Sequence, residues 1–100
     1  YDCFTISLLV QLEDLGFCAR GEAPALVRER GIGVHGGLPV NTHGGLLAHS
    51  YLLGVEHVLE AVRQLRGQAG AAQVADAEIG LVGGWSIPDY GVLLLGRDAR

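Results

Sequence analysis

The stretch NTHGGLLAHSYLLGVEHVLEAVRQL, residues 41–65, joins an apolar loop to an amphipathic helix. In its second half the apolar side chains recur every three or four positions, at Val55, Val58, Leu59, Val62 and Leu65. This spacing predicts a helix with one buried face that ends before Gly67. The first half contains a glycine pair and has no clean period. It is too apolar for a solvated tether, so residues 41–54 are predicted to form a structured loop.

Upstream of this stretch the sequence predicts one further long helix. Apolar residues recur at helical spacing across residues 4–16, where Asp2 can cap the helix start and Gly16 can end it. Glycine and proline interrupt residues 21–40, and only Ala23–Arg30 could hold a short helical turn.

Downstream of the helix, two apolar segments predict β-strands. Ala77–Val82 runs into a glycine pair, and Tyr90–Leu95 follows the Ser86–Asp89 turn, which is typical of an antiparallel hairpin with a generous loop. The predicted fold is therefore α/β, with two helices packed on a small sheet that ends in an antiparallel hairpin.

The composition is unusually apolar for a small domain. Hydrophobic residues make up 49% of the 100 residues and charged residues 18%, whereas soluble domains average about 25% charged residues. Part of the apolar surface is therefore expected to lie against another segment or subunit. The chain has no methionine and begins at Tyr1, so we expect it to be a fragment of a longer protein.

Charge and cysteine content exclude several classes of function. The net charge is −4, and the arginines form no basic stripe with interleaved aromatic residues, so no nucleic-acid partner is expected. No run of about 18 apolar residues is present, so no membrane span is expected. Cys3 and Cys18 are too few for a disulfide framework, and we expect reduced thiols in a cytoplasmic protein.

Four blocks of sequence carry a family resemblance, and they lie at Tyr1–Phe4, Gly16–Cys18, Asn41–Leu52 and Gln64–Gly70. The third block reads Asn-Thr-His-Gly-Gly and, four residues later, Ser-Tyr-Leu. It resembles the Asn-Pro-Ser-Gly-Gly and Gly-His-Pro segments of thiolases and their sterol-carrier-type relatives. The other blocks are similar to His-Asp-Cys-Phe, Gly-Leu-Cys and Gln-Leu-Arg-Gly-Glu-Ala-Gly of the sterol-carrier-type branch. The resemblance implies that residues 1–100 form the C-terminal part of a thiolase C-terminal domain, with a sheet completed by strands from earlier sequence.

Three departures from the thiolase pattern concern chemistry. The histidine that activates the nucleophilic cysteine in thiolases is Tyr51 here, and the asparagine that holds a water is Tyr1. The late acid/base cysteine falls at about Leu81. This pattern resembles the thiolase-like aldolases of steroid side-chain degradation, of the "lipid-transfer protein" type. Those enzymes split a β-hydroxyacyl-CoA into a ketone and a shorter acyl-CoA.

Two tyrosines suit a retro-aldol cleavage. The reaction needs a base for the β-hydroxyl proton and an acid for the departing enolate, and it forms no acyl-enzyme. A phenol has an ordinary pKa of about 10, but Tyr51 lies just ahead of the predicted helix, whose positive end favours a phenolate. We expect Tyr51 and Tyr1 to be the catalytic pair, and the sequence leaves open which is the base.

The remaining candidate residues are expected to contact the substrate. They are the motif residues and two glycine pairs that permit close backbone approach to a thioester: Asn41, His43, Gly44, Gly45, Gly83 and Gly84. The histidine spacing matches no common metal-ligand pattern, so no metal is expected. His49 and His57 are expected to be partly exposed, and Cys3 is expected to be a packed thiol.

The resemblance also implies partners and leaves alternatives open. It implies an acyl-CoA thioester as substrate with no separate cofactor, a homodimer of the parent protein and a small OB-fold partner protein. The fragment alone is expected to be inactive. One alternative is a degradative thiolase or acetyl-CoA acyltransferase with an upstream cysteine. The other is a non-catalytic thiolase-like scaffold that binds lipid.

Overall fold

The computed structural model describes residues 1–86 and 88–98, which form four α-helices and a two-stranded sheet. In chain order the elements are α1 (Thr5–Asp14), α2 (Ala23–Arg30), α3 (Gly45–Ala48), α4 (Val55–Leu65), a 3₁₀ turn (Gly70–Ala72), β1 (Ile79–Trp85) and β2 (Tyr90–Gly96). None of the described helices reaches the length and hydropathy that crossing a bilayer requires.

Helix α1 lies where the periodicity predicts it and ends at a glycine, as expected. Gly16 has a φ of +83°, a left-handed conformation that is favourable for glycine after a helix end. The predicted cap is wrong, because the N-cap is Phe4 and no side chain caps the helix. The Asp2 carboxylate instead accepts hydrogen bonds from the Leu46 backbone N–H, with N···O distances of 3.1 and 3.3 Å.

The sequence predicts two helices, but the described residues form four, because α2 and α3 are also helical. Ala23–Arg30 forms a complete short helix rather than a single turn, since Pro24 stands at its start, where the missing N–H costs no hydrogen bond. Helix α3 has four residues and lies inside the predicted structured loop. It is too short for any hydrophobic period to reveal it in the sequence.

The hairpin prediction is confirmed. Strands β1 and β2 pair antiparallel, from Ile79 opposite Gly96 to Trp85 opposite Tyr90. Helix α4 packs directly on this sheet: a Cβ added at Gly80 would lie 3.5 Å from Ala61 Cβ and 3.5 Å from Leu65 Cδ1. Helix α1 packs mainly against α2 instead, so one long helix covers the sheet where two were expected.

Much of the apolar surface of this fold faces outward. The hairpin exposes Ile79 and Leu94, and the segment around α3 exposes Leu47 completely. The most deeply buried large side chain is polar, Glu56 at the start of α4. A buried polar group needs hydrogen-bond partners, and those of Glu56 and its neighbours define the candidate site.

Candidate functional site

Tyr1 and Tyr51, which are far apart in the sequence, meet at the N-terminal end of α4. A hydrogen bond with the Tyr51 side chain, followed in importance by desolvation, raises the pKa of Tyr1 from 10.0 to about 12. Tyr1 therefore keeps its phenolic proton throughout the neutral pH range. Tyr51 lies four residues before the first residue of α4 and is exposed.

The Tyr1 backbone is fixed by α1 and β1. Its carbonyl accepts a 2.6 Å hydrogen bond from Gln11 Nε2, and its backbone nitrogen lies 3.0 Å from both Gln11 Oε1 and the Gly83 carbonyl oxygen. Gln11 is itself buried. A Cβ at Gly83 would lie 2.9 Å from Gln11 Oε1 and 2.9 Å from the Tyr90 hydroxyl, so only glycine leaves room for these two groups.

Gly84, the second glycine of the Gly83-Gly84 pair, has different surroundings from Gly83. Gly84 pairs with Gly91 of β2, and a Cβ there would meet only the Gly91 carbonyl oxygen, at 3.7 Å. The structure thus brings Gly83 to Tyr1, whereas Gly84 lies in the exposed part of the hairpin. A contact of either glycine with a thioester stays a prediction.

Asp2 is the site residue that sequence reasoning placed wrongly. Its Oδ1 lies 2.8 Å from His57 Nε2, and both carboxylate oxygens accept from the Leu46 N–H. A Cβ at Gly45 would overlap this carboxylate, and Gly45 is buried with a φ of +74°. The sequence feature that could have indicated this role is the position of Asp2 beside Tyr1, within one of the blocks that resemble the family.

The three histidines in this region pack together, because the His43 ring contacts both of the others; its centroid lies 5.0 Å from that of His49. The prediction that His57 is partly exposed is wrong: its exposed fraction is 6%, because the ring is enclosed by Asp2, Tyr1 and His43. His49 is exposed, as expected. The rings of His43 and His57 contact edge to face with centroids 4.9 Å apart.

His43 is held as a neutral imidazole. Burial lowers its pKa, and the neighbouring His57 and His49 lower it further. Both ring nitrogens are buried and have no hydrogen-bond partner among the described residues. An imidazole in this condition retains one donor and one acceptor for a ligand. Within residues 1–86 and 88–98, no set of three side chains is grouped as a metal site requires.

The motif loop that carries Asn41 and His43 is attached to α4 through Thr42. The Thr42 hydroxyl donates to Glu60 Oε1 at 2.6 Å, and Gln64 Nε2 donates to Thr42 Oγ1 at 2.9 Å. Asn41 adopts a left-handed backbone conformation with a φ of +47°, and its carbonyl accepts from the Gly44 N–H at 2.8 Å. The loop is therefore a fixed turn, and Gly44 lies at its exposed end.

Glu56 holds the segment that contains Tyr51. Its side chain is 1% exposed, and its Oε2 accepts a 3.1 Å hydrogen bond from the Leu52 N–H. Burial alone raises the pKa of Glu56, but hydrogen bonds from the backbone at Glu56, Gly54 and Leu52 together outweigh burial and lower it. Glu56 is therefore an ionised, buried acceptor one residue into α4.

An apolar groove of about 520 Å³ opens beside these residues, between α1, α4 and β1. Its lining includes four of the candidate residues, Tyr1, Asn41, His43 and Gly83, together with His57 and other polar residues such as Gln11 and Gln64. The remaining candidates, Tyr51, Gly44, Gly45 and Gly84, lie outside its lining. The arrangement can present paired phenols and a neutral imidazole next to an apolar surface.

Comparisons with known proteins show the family of the chain. Residues 1–91 match the family described as thiolase C-terminal domain-like. The chain is 42% identical over 94 residues to a 17-hydroxy-3-oxo-4-pregnene-20-carboxyl-CoA lyase of Mycobacterium tuberculosis, covering 94% of this chain and 24% of that protein. It is 42% identical over 98 residues to a steroid side-chain-cleaving aldolase of Thermomonospora curvata, covering 98% of this chain and 25% of that protein.

A third relative comes from a different activity class. An acetyl-CoA acetyltransferase of Methanothermobacter thermautotrophicus is 42% identical over 84 residues, covering 81% of this chain and 22% of that protein. The chain thus spans about a quarter of the length of these relatives. Since the family match covers nearly the whole chain, this protein belongs to the thiolase C-terminal domain-like family.

Proposed function

We propose that the protein carrying this chain is a thiolase-like retro-aldolase. It cleaves a β-hydroxyacyl-CoA with a sterol or other lipid side chain into a ketone and a shorter acyl-CoA. Residues 1–100 form the C-terminal part of its thiolase C-terminal domain. The names of two relatives, a carboxyl-CoA lyase and a steroid side-chain-cleaving aldolase, support the reaction class.

The contact between the Tyr1 and Tyr51 side chains carries this proposal. A retro-aldol cleavage moves one proton from the β-hydroxyl oxygen to the α-carbon, so its acid and base must exchange a proton to begin the next turnover. Tyr51 takes the β-hydroxyl proton, the bond between the α- and β-carbons breaks, and its electron pair forms the thioester enolate. Tyr1, which its raised pKa keeps protonated, donates to the α-carbon.

Because the two phenols interact, the proton can then pass from Tyr51 to Tyr1 and reset the pair. The neutral His43 donates one N–H to the enolate oxygen of the thioester, which is where negative charge develops. In this proposal Asn41 and Gly83, which line the groove, contact the thioester, and Gly44, Gly45 and Gly84 shape the adjoining backbone. No acyl-enzyme forms, so the reaction needs neither a nucleophilic cysteine nor the histidine that activates it, and Tyr1 performs the proton transfer that the late cysteine performs in thiolases.

Kinetics of the full-length protein with a β-hydroxyacyl-CoA test this proposal. We expect ketone and shortened acyl-CoA in equal amounts without added free CoA. Tyr51→Phe is expected to lose at least about 100-fold in kcat, the usual contribution of a general acid or base, with an unchanged melting temperature. Tyr90→Phe, which removes the third tyrosine hydroxyl of the chain, serves as the control and is expected to retain activity.

The alternatives predict different results. A degradative thiolase or acetyl-CoA acyltransferase, which the Methanothermobacter relative favours, consumes free CoA and a β-ketoacyl-CoA. A lipid-binding scaffold binds the acyl-CoA without converting it, and Tyr51→Phe leaves its behaviour unchanged. The homodimer, the OB-fold partner protein, the cytoplasmic location and the inactivity of residues 1–100 alone remain predictions.

A further inference from the structure

We propose that two adjacent residues, Glu56 and His57, are positioning residues that hold Tyr51 and Tyr1 in place so that the two phenols lie next to each other. The inference rests on the proposed function, because it assigns the first turn of α4 a role in aligning the two phenols. Each residue holds a different tyrosine-bearing segment, and both belong to the same helical turn.

His57 holds the Tyr1 segment in two ways. Its Nε2 lies 2.8 Å from Asp2 Oδ1, and Asp2 directly follows Tyr1 in the chain. Its ring also lies against the Tyr1 ring, with centroids 5.9 Å apart and planes tilted by 38°. On another side, a Cβ added at Gly54 would contact the Tyr1 ring at 3.5 Å, so the Tyr1 ring passes close to the backbone just before α4.

Glu56 holds the Tyr51 segment through the backbone. Its Oε2 accepts from the Leu52 N–H at 3.1 Å, and Leu52 directly follows Tyr51. Tyr51 itself is 64% exposed, so its position depends on this backbone attachment more than on packing of its ring.

The first turn of α4 is suited to this role because it is rigid. Glu56 and His57 are buried, and α4 is packed on β1 through Ala61 and Leu65. Glu56 Oε1 and His57 Nδ1 lie 3.8 Å apart and have no hydrogen-bond partner among the described residues. The hydrogen bonds from Glu56 to the Leu52 N–H and from His57 to Asp2 therefore tie this turn to both tyrosine segments.

Paired substitutions in the full-length protein test the His57 role. His57→Phe keeps a ring beside Tyr1 but removes the hydrogen bond to Asp2, whereas His57→Gln keeps a donor near the Nε2 position. We expect His57→Phe to lower kcat by about 100-fold, as small misplacements of reacting groups do, with little change in KM. His57→Gln is expected to recover most of that loss, and His35→Gln, at an exposed histidine, to match the wild type.

Glu56 is tested in the same way. Glu56→Leu removes the acceptor for the Leu52 N–H, and Glu56→Gln retains an oxygen there, so we expect a loss of kcat in the first variant and recovery in the second. Equal kcat values in folded wild type, His57→Phe and Glu56→Leu overturn the inference. A loss that follows the melting temperature and is not recovered by glutamine also overturns it, because it indicates a purely structural role.

A spectroscopic readout separates this inference from the proposed function. If the wild type does not cleave β-hydroxyacyl-CoA, the proposed function fails, but positioning is still measurable by fluorine NMR of 3-fluorotyrosine at position 1 or 51. We expect His57→Phe to shift the signal at position 1 and Glu56→Leu the signal at position 51, with glutamine variants near the wild-type shifts. Unmoved signals in both variants overturn the inference. Should these variants not fold, Asp2→Ala, which removes the acceptor for His57, and Glu56→Ala, which removes the acceptor for the Leu52 N–H, give the same comparison.

Discussion

His57 Nε2 lies 2.8 Å from Asp2 Oδ1, although 55 positions separate these residues in the chain. The contact fixes the N-terminal segment over the first turn of α4. Because Asp2 also accepts from the Leu46 N–H, one carboxylate joins three segments: the residues before α1, the start of α3 and the start of α4.

Removal of the Asp2 carboxylate is expected to destabilise the protein. Asp2→Ala leaves the Leu46 N–H and His57 Nε2 without their acceptor, and hydrogen bonds to charged groups contribute about 1.5–3 kcal/mol each. We expect the free energy of unfolding in urea to fall by about 2–4 kcal/mol. Asp14→Ala removes an exposed carboxylate at the end of α1 and is expected to change it by less than about 0.5 kcal/mol. Equal effects of the two substitutions would contradict the assigned role of Asp2.

Gly45 is expected to tolerate no side chain. Gly45→Ala combines a left-handed backbone, with a φ of +74°, and overlap of its Cβ with the Asp2 carboxylate. Gly67→Ala is the matched control, because Gly67 has a φ of +68° and open space around it. We expect the free energy of unfolding of the control to fall by about 1–2 kcal/mol because of backbone strain. In the same urea titration, Gly45→Ala should lower it clearly more.

The double variant Asp2→Ala with Gly45→Ala separates overlap from strain. Once the carboxylate is absent, alanine at position 45 should add only the loss seen in the Gly67→Ala control. Additive losses in the double variant would show that the two residues do not interact.

Gln64 is expected to be essential for the stability of the motif loop. Its Nε2 donates to Thr42 Oγ1, Glu60 Oε1 and the Ala72 carbonyl, and its Oε1 accepts from the Val74 N–H. Gln64→Leu leaves the Ala72 carbonyl and the Val74 N–H without their partner and removes one donor from the Thr42–Glu60 pair, so we expect a loss of about 2–4 kcal/mol in the free energy of unfolding.

Gln68→Leu, at an exposed glutamine three residues after α4, is the control for Gln64→Leu and should change stability by less than about 0.5 kcal/mol. If both variants unfold at the wild-type urea concentration, the hydrogen-bond network around Gln64 contributes nothing measurable.

The ionisation of Tyr1 should depend on Tyr51. In the folded protein the pKa of Tyr1 is raised from 10.0 to about 12, first by the hydrogen bond with Tyr51. A raised pKa in the folded state means that this contribution to stability is complete below pH 10 and is lost as the pH rises towards 12. Tyr51→Phe removes the largest cause, so Tyr1 should ionise nearer to its ordinary pKa.

The measurement is phenolate absorbance against pH. The Tyr1 titration is obtained as the difference between the protein with and without Tyr1→Phe, in the wild-type and Tyr51→Phe backgrounds. The same midpoint in both backgrounds would show that Tyr51 does not hold the Tyr1 proton.

The sequence alone predicts the helices and strands whose hydrophobic pattern extends over many residues. The apolar stripe of α4 and the two apolar segments of the hairpin are visible because each spans enough residues for its repeat to appear. Helix α3 could not be predicted in this way, because Gly45–Ala48 is a single turn fixed by its N-terminal contact with Asp2.

Candidate site residues that belong to a motif could be predicted from the sequence. Those whose role depends on contacts between distant segments could not. Tyr1 and Tyr51 were identified from matched blocks, and the structure brings their side chains together. The burial of His57 and the role of Asp2 could not be read from local pattern, because His57 lies on an otherwise ordinary helix and its partner comes from the other end of the fold.

The glycine at position 45 has a consequence for the evolution of this family. The space that a Cβ at position 45 would need is filled by the Asp2 carboxylate, so a side chain at position 45 requires a change at position 2. Related sequences that carry a side chain at position 45 are expected to have lost the acid at position 2 as well. In an alignment of such sequences, positions 2 and 45 would covary, and that covariation would reflect their contact in the folded protein.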